Sequence, residues 1–168
     1  MNRTDLRKAF EHPNVRAFLK AIRLGEGTTD EAGYYRIVGG GSFADDRVHP
    51  NVRVYIERYK VWSTAAGAYQ IIGPTWRALV KQYGFEDFSL DCQDEAAVAL
   101  IAGRKALEDV KAGHFEEAVK KCSLELASLP GSTAGQRTED IAAVREVYIQ
   151  NGGTVTCPSS LRIGALWC

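Results

Sequence analysis

A chain of 168 residues, 45% hydrophobic and 25% charged, has enough apolar material for a packed domain and too little bias for a disordered or fibrous one. Its 21 Lys and Arg balance 21 Asp and Glu, so no overall field draws it to nucleic acid or an anionic membrane. The segment Met1 to Glu11 is polar rather than a secretory leader, and no apolar run is long enough to span a bilayer. Accumulation in the cytosol of the producing cell is therefore expected.

In chain order, Arg3, Arg7 and Lys8 form a local basic patch that reads as a solvated helix face. Val15, Phe18, Leu19 and Ile22 then recur at helical spacing and predict a helix with one apolar face, stopping near Gly25. Glu26 falls just past that end. Tyr34 to Val38 is a β-prone run, Gly39-Gly40-Gly41 a turn, and Val52, Val54 and Ile56 alternate as in a half-exposed strand. Together with the small-residue stretch Ser63 to Ile72, they predict a small β-containing lobe hanging off a helical body.

From Gly73 the signals are helical again. Pro74 suits the first turn of a helix ended by Gly84, and Ser89 is the expected N-cap of a long helix that Gly103 interrupts. Gly113 ends the next stretch, and further helices are expected over Phe115 to Leu126 and Asp140 to Ile149, with Ser128 to Gly131 between them. The expected fold class is α+β: a mostly helical body, a small β lobe and a cleft between. No linker or repeat divides the chain, so residues 1–168 read as one domain in two lobes.

Cys92, Cys122, Cys157 and Cys168 are too sparse for a disulfide scaffold and show no zinc spacing. A bridge between Cys157 and Cys168 would close the tail into a loop and add roughly 2–3 kcal/mol if it formed, though a cytosolic chain favours reduced thiols. His12, His49 and His114 are scattered. No metal and no cofactor is expected.

A carboxyl group at a helix end, facing a cleft between lobes, suits a general acid, because apolar neighbours disfavour its ionised form. Glu26 has that setting, although alone it would pass for one more surface glutamate. Its surroundings distinguish it. The strings Gly25-Glu26-Gly27-Thr28, Ile37-Val38-Gly39-Gly40, His49-Pro50, Ser63-Thr64-Ala65, Tyr69-Gln70, Asp87-Phe88-Ser89, Gln93-Asp94, Ala127 to Gly131 and Gly152 to Val155 follow one another in order. In these strings, over about residues 17–155, the chain resembles the lambda phage endolysin family of lysozyme-like lytic transglycosylases. Gly25 and the tail over 156–168 depart from the family pattern.

The resemblance implies a lysozyme-like fold, with Glu26 as the catalytic residue of an enzyme cutting the β-1,4 bond between N-acetylmuramic acid and N-acetylglucosamine. The acid protonates the glycosidic oxygen, then accepts the proton of the muramic C6 hydroxyl as that hydroxyl closes a 1,6-anhydro ring. An intramolecular hydroxyl has a high effective concentration, so a second carboxylate is dispensable. A water-dependent muramidase would need one, about 5–5.5 Å away as nucleophile or ~6.5–9.5 Å away to hold water. Asp30, Glu31, Asp45 and Asp46 are the candidates, Asp45 also reading as a turn residue that accepts backbone N–H bonds.

Gly67-Ala68-Tyr69-Gln70 resembles the Gly-x-x-Gln motif of other lytic transglycosylases, and Ser63, Thr64, Tyr69 and Gln70 are the expected substrate wall. A glutamine amide can donate to and accept from an N-acetyl group, and a tyrosine face can stack on a sugar. Tyr34, Tyr35 and Trp76 read as core aromatics. The implied partners are peptidoglycan glycan strands and, for passage from host cytoplasm to periplasm, a holin; a monomer without membrane insertion is expected. A non-catalytic wall-binding module is the alternative from another class.

Overall fold

The structure, a computed structural model, describes residues 1–123 and 140–156. Helix α1 (Arg3–Phe10) opens on a capping box, in which the Asn2 side chain accepts from the Asp5 N–H at 3.0 Å and Asp5 accepts from the Asn2 N–H at 2.8 Å. Of the basic patch on this helix, Arg7 and Lys8 are exposed as expected, while Arg3 is docked against the body. Arg3 and Arg7, one turn apart, reach Glu95 at 2.7 and 2.8 Å, and that carboxylate is buried in helix α4 (Leu90–Gly103).

Helix α2 (Pro13–Glu26) is the central element. Pro13 sits in its first turn, where the missing N–H costs nothing, and His12 caps it by accepting the Asn14 N–H at 3.2 Å. Val15, Phe18, Leu19 and Ile22 are all buried, as their spacing predicts. Among the described residues, the most extensive helix contact joins α2 to helix α7 (Ile141–Gln150). Phe18 meets Tyr148 of α7 and Phe115 edge-on, at 6.4 and 6.0 Å between ring centroids. Burying such a phenylalanine stabilises the fold by about 2–3 kcal/mol. Helices α5 (Leu107–Ala112) and α6 (Phe115–Cys122) complete this side, and Gly113 makes the left-handed turn between them.

Gly25 does not stop α2. The helix runs on through Glu26, and Gly27 ends it at φ 66°. Nor is Tyr34 to Val38 a strand. Glu31–Tyr35 forms a 3₁₀ helix capped by Asp30, whose side chain accepts the Gly33 N–H at 2.9 Å. Only isolated bridges follow, Arg36 to Ser42 and Ile37 to Ala66. Gly33 permits this course: a Cβ there would lie 2.4 Å from the Thr28 carbonyl oxygen.

The β lobe is a two-stranded antiparallel hairpin, β1 (Val54–Ile56) and β2 (Val61–Ser63), with Val54 opposite Ser63. Helix α3 (Gly73–Tyr83) leaves the lobe with Pro in its first turn and ends at Gly84, φ 71°, as its punctuation predicts. Under the lobe Trp76 stacks on Phe85 at 5.4 Å and meets Phe88 at 4.7 Å, while His49 lies 4.6 Å from Phe88. Trp76 and Tyr34 are core residues, and Tyr35 packs against the core. The described thiols, Cys92 and Cys122, are buried. Cys157, Cys168, the tail beyond Thr156 and the segment Ser128 to Gly131 lie outside the described residues.

Candidate active site

Glu26, the last residue of α2, is half-buried, and the chain that follows it is clamped from two sides. From inside, the buried Arg23 donates through Nε to the Thr28 carbonyl at 2.8 Å and through Nη2 to the Asp30 carbonyl at 2.5 Å. From outside, Arg36 donates to the Gly27 carbonyl and pairs with Asp30 at 3.3 Å. Thr28 is fully buried and donates its hydroxyl to the Ala68 carbonyl at 2.6 Å. The backbone carrying the acid is thereby tied to the opposite wall.

A buried polar layer supports this clamp. The Arg23 guanidinium lies 4.4 Å from the centroid of the Tyr34 ring, a cation–π contact away from water. Tyr34 and Tyr69 both donate to Oδ1 of Asp94, at 2.8 and 2.6 Å. Burial pushes the Asp94 carboxyl above its usual range, while its two phenol donors and Arg23 pull the other way. Burial, reinforced by the facing carboxylate, pushes both tyrosine hydroxyls up.

Beside Asp94, the buried Gln93 amide is fully used. It accepts from the Ala68 N–H at 2.9 Å and donates to the carbonyls of Tyr34 at 3.1 Å and Phe88 at 2.8 Å. Gly67, at φ 78°, allows that approach, since a Cβ there would lie 2.2 Å from Gln93 Oε1.

Above this layer opens a cleft of about 520 Å³. The end of α2 and the turn Arg36 to Gly40 form one side; the hairpin and the stretch Ala65 to Ile72 form the other. Glu26, Ser63, Tyr69 and Gln70 line it together, whereas Thr64 does not. Thr64 faces a neighbouring groove, and its Oγ1 accepts the Gly73 N–H at 2.9 Å. Ser63 Oγ accepts the Ala65 N–H at 3.2 Å, which leaves its own hydroxyl proton for a ligand. Tyr69 is 97% buried with its hydroxyl spent on Asp94, so it contributes ring surface only. Gln70 sits at φ 47° and spends its amide N–H on the Gly67 carbonyl at 2.9 Å, so its carbonyl oxygen is the group left to face a ligand.

Glu26 is the carboxylate of the cleft lining among the described residues. Of the other acids, Asp30 caps the 3₁₀ helix and Glu31 is exposed on it. Asp45 accepts the Arg47 N–H at 3.0 Å and its guanidinium at 2.6 Å, a turn residue whose carboxyl these bonds lower to about 2. Asp46 accepts the Tyr35 hydroxyl at 3.5 Å.

Arg23, Arg36, Gln93 and Asp94 are the site residues that sequence reasoning missed as such. Arg23 carried a signal, a charge between the apolar positions Ile22 and Leu24; Arg36 carried none. Among the described residues, no cluster of His, Cys, Asp and Glu is arranged to hold a metal ion.

The chain is similar to the endolysin of Escherichia phage lambda, 38% identical over 146 residues, covering 83% of this chain and 92% of the relative. It is also similar to the endolysin of Escherichia phage P2, 36% identical over 157 residues, covering 84% and 94%. The solved bacteriophage lambda lysozyme complexed with a chitohexasaccharide superposes with a TM-score of 0.81 at 37% identity, covering 86% of this chain and 97% of that one. A further lambda lysozyme structure gives 0.75 at 35% identity. The Endolysin family model matches residues 16–155, a span that holds the clamped glutamate and both walls of the cleft, and the chain belongs to the endolysin family.

Proposed function

We propose that this protein is a peptidoglycan lytic transglycosylase that cleaves the β-1,4 bond between N-acetylmuramic acid and N-acetylglucosamine and leaves 1,6-anhydromuramic ends. The observation that carries the reading is the placement of the acids. Glu26 lines the cleft, while Asp30, Asp45 and Asp46 are engaged elsewhere with partners of their own. The sugar-bound state of the lambda lysozyme supports a glycan occupant.

In the proposed cycle Glu26 gives its proton to the bridging oxygen as the bond from that oxygen to the muramic anomeric carbon breaks. The muramic C6 hydroxyl then bonds to the same carbon, and its proton passes to the Glu26 carboxylate. The acid is restored and no water is consumed. Arg23 and Arg36 keep the acid's backbone fixed through the cycle, and the Gln70 carbonyl is placed to accept an N-acetyl N–H.

No helix among the described residues is long and apolar enough to cross a membrane. From the membership of the endolysin family we assign the route to the cell wall, and host lysis with it, to a holin that opens the membrane. The enzyme acts as a monomer.

Mass spectrometry of digested muropeptides tests the chemistry. Anhydro ends are expected; reducing ends, heavier by one water, would make the protein a hydrolysing muramidase, and an unchanged profile would make it a binder. Glu26→Gln is expected to abolish cleavage with little change in thermal midpoint, because Glu26 is only half-buried. Normal cleavage by that variant would remove Glu26 from the mechanism.

A further inference from the structure

Behind the hairpin lies a second hollow of about 370 Å³, which shares Trp62, Ser63 and Ile72 with the wall of the cleft. The two spaces are therefore contiguous, with Trp62 between them, 60% exposed. Among the described residues, the titratable side chains of this groove are Arg53 and Arg77, and no carboxylate lines it. Both arginines are exposed, and among the described residues neither takes part in an ion pair. Arg77 also borders the hollow that holds Glu86 and Asp87, again without pairing.

The groove is shaped by the fold around it. Arg53 lies with its guanidinium 5.0 Å from the Trp62 ring centroid, and Tyr55 meets the indole in a tilted contact at 5.2 Å. A guanidinium stacked this way keeps its N–H edges free for a planar anion. Ile72 and Pro74 bring the start of α3 to the groove, and at Gly73 between them a Cβ would lie 2.2 Å from Asn51 Oδ1 and 3.3 Å from an Arg77 Nη. Only a glycine lets both side chains settle there. Asn51 is held at φ 49°, with its N–H on His49 Nδ1 at 3.0 Å. The positive end of an 11-residue helix adds to the two guanidinium charges.

A glycan strand is uncharged along its sugar backbone, so cations beside the cleft have no partner in it. The peptide stems on alternate sugars do carry free carboxylates. We infer that the Arg53–Arg77 groove is a subsite for carboxylates of the peptide stem attached to the muramic acid in the cleft. This rests on the glycan-cleaving reading above. The groove lies one indole away from the cleft, so a stem leaving the bound sugar passes over Trp62 and meets the two guanidiniums. Planar, bidentate recognition is what arginine offers a carboxylate.

Two substrates separate this subsite from the chemistry: peptide-bearing sacculi, and the same glycan strands after an amidase has removed the stems, which keep only the short lactyl carboxylate that this hydrolysis frees at the muramic ring itself, inside the cleft and not across Trp62. Arg53→Gln and Arg77→Gln remove charge at exposed positions outside the catalytic cleft. Each is expected to lower kcat/KM about fivefold on peptide-bearing material, as for loss of one exposed charged pair. On stripped strands each is expected to match the unaltered protein. Arg77→Glu should deepen the first effect and still spare the second. Equal losses on both substrates, or losses on neither, would overturn the subsite. Inactivity of the unaltered protein on both would overturn the glycan-cleaving reading, and the subsite with it.

Discussion

Gln93→Leu removes the single amide that ties α4 to the 3₁₀ helix and to the Gly67–Gln70 wall. Leucine has similar bulk and buries well, so packing changes little, but three buried backbone groups lose their partner: the Ala68 N–H and the carbonyls of Tyr34 and Phe88. An unsatisfied buried donor costs about 1–3 kcal/mol, and a carbonyl with a second lone pair costs less. Leucine's added apolar burial returns about 1–2 kcal/mol. The net expectation is a loss of about 3 kcal/mol, which in a domain of this size lowers the thermal midpoint by roughly 6–12 °C. Urea unfolding followed by circular dichroism gives the free energy, and a thermal scan checks it. Gln93→Glu keeps the acceptor for Ala68 but turns two donor contacts into oxygen–oxygen repulsion, so at neutral pH it is expected to fall further than leucine. A loss below about 1 kcal/mol for leucine would refute the reasoning, because the wall would then be held by something other than this amide.

Arg23→Lys leaves one ammonium in place of a fork that spans the Thr28 and Asp30 carbonyls and lies on Tyr34. We expect stability to fall by about 2 kcal/mol and cleavage to slow at least tenfold as the chain after Glu26 loosens; unchanged turnover in a sacculus-clearing assay would contradict the clamp. His49 is predicted to make stability depend on pH. Burial holds its imidazole below the usual 6.5, with the ring between the Ile71 carbonyl and the Asn51 N–H. The unfolded chain takes up the proton from 6.5 downward while the folded ring resists, so stability is present above 6.5 and is lost as pH falls toward the folded value. Urea midpoints at pH 7.5 and 5.5 should therefore converge for His49→Gln relative to the parent; an equal acid loss in the variant would count against His49 as the source.

Much of the helical body is legible in the sequence because its signals are local. The spacing of Val15, Phe18, Leu19 and Ile22 places one face of α2, and Pro74, Gly84, Gly113 and Asp140 mark ends that the structure also has. The 3₁₀ helix at Glu31–Tyr35 is not legible that way. Tyr34 and Tyr35 favour a strand, and what overrides them is distant: the Arg23 guanidinium beneath Tyr34 and the Asp94 carboxylate at its hydroxyl. The same holds within the candidate site. Glu26 stands out only through the ordered strings around it, and the partners of Gln93 and Asp94, Phe88 apart, lie 25 to 60 positions away. Ser63 and Thr64 are neighbours at the end of a strand, so alternation sends them to opposite sides. Which one faces the cleft depends on the hairpin's register, with Val54 opposite Ser63.

Helix α2, packed between α7, α5, α4 and α1, carries the acid, while a hairpin of six strand residues with exposed aromatic side chains carries the outer wall. The protein thus separates what must be exact in position from what is free to vary. Tyr55, Trp62 and Arg53 face outward and sustain no part of the core, so they can be exchanged at little cost to stability. With the stem subsite proposed above, a lineage of such proteins could refit its hairpin to walls of different peptide chemistry while helix α2 and the residue it presents to the cleft stay untouched.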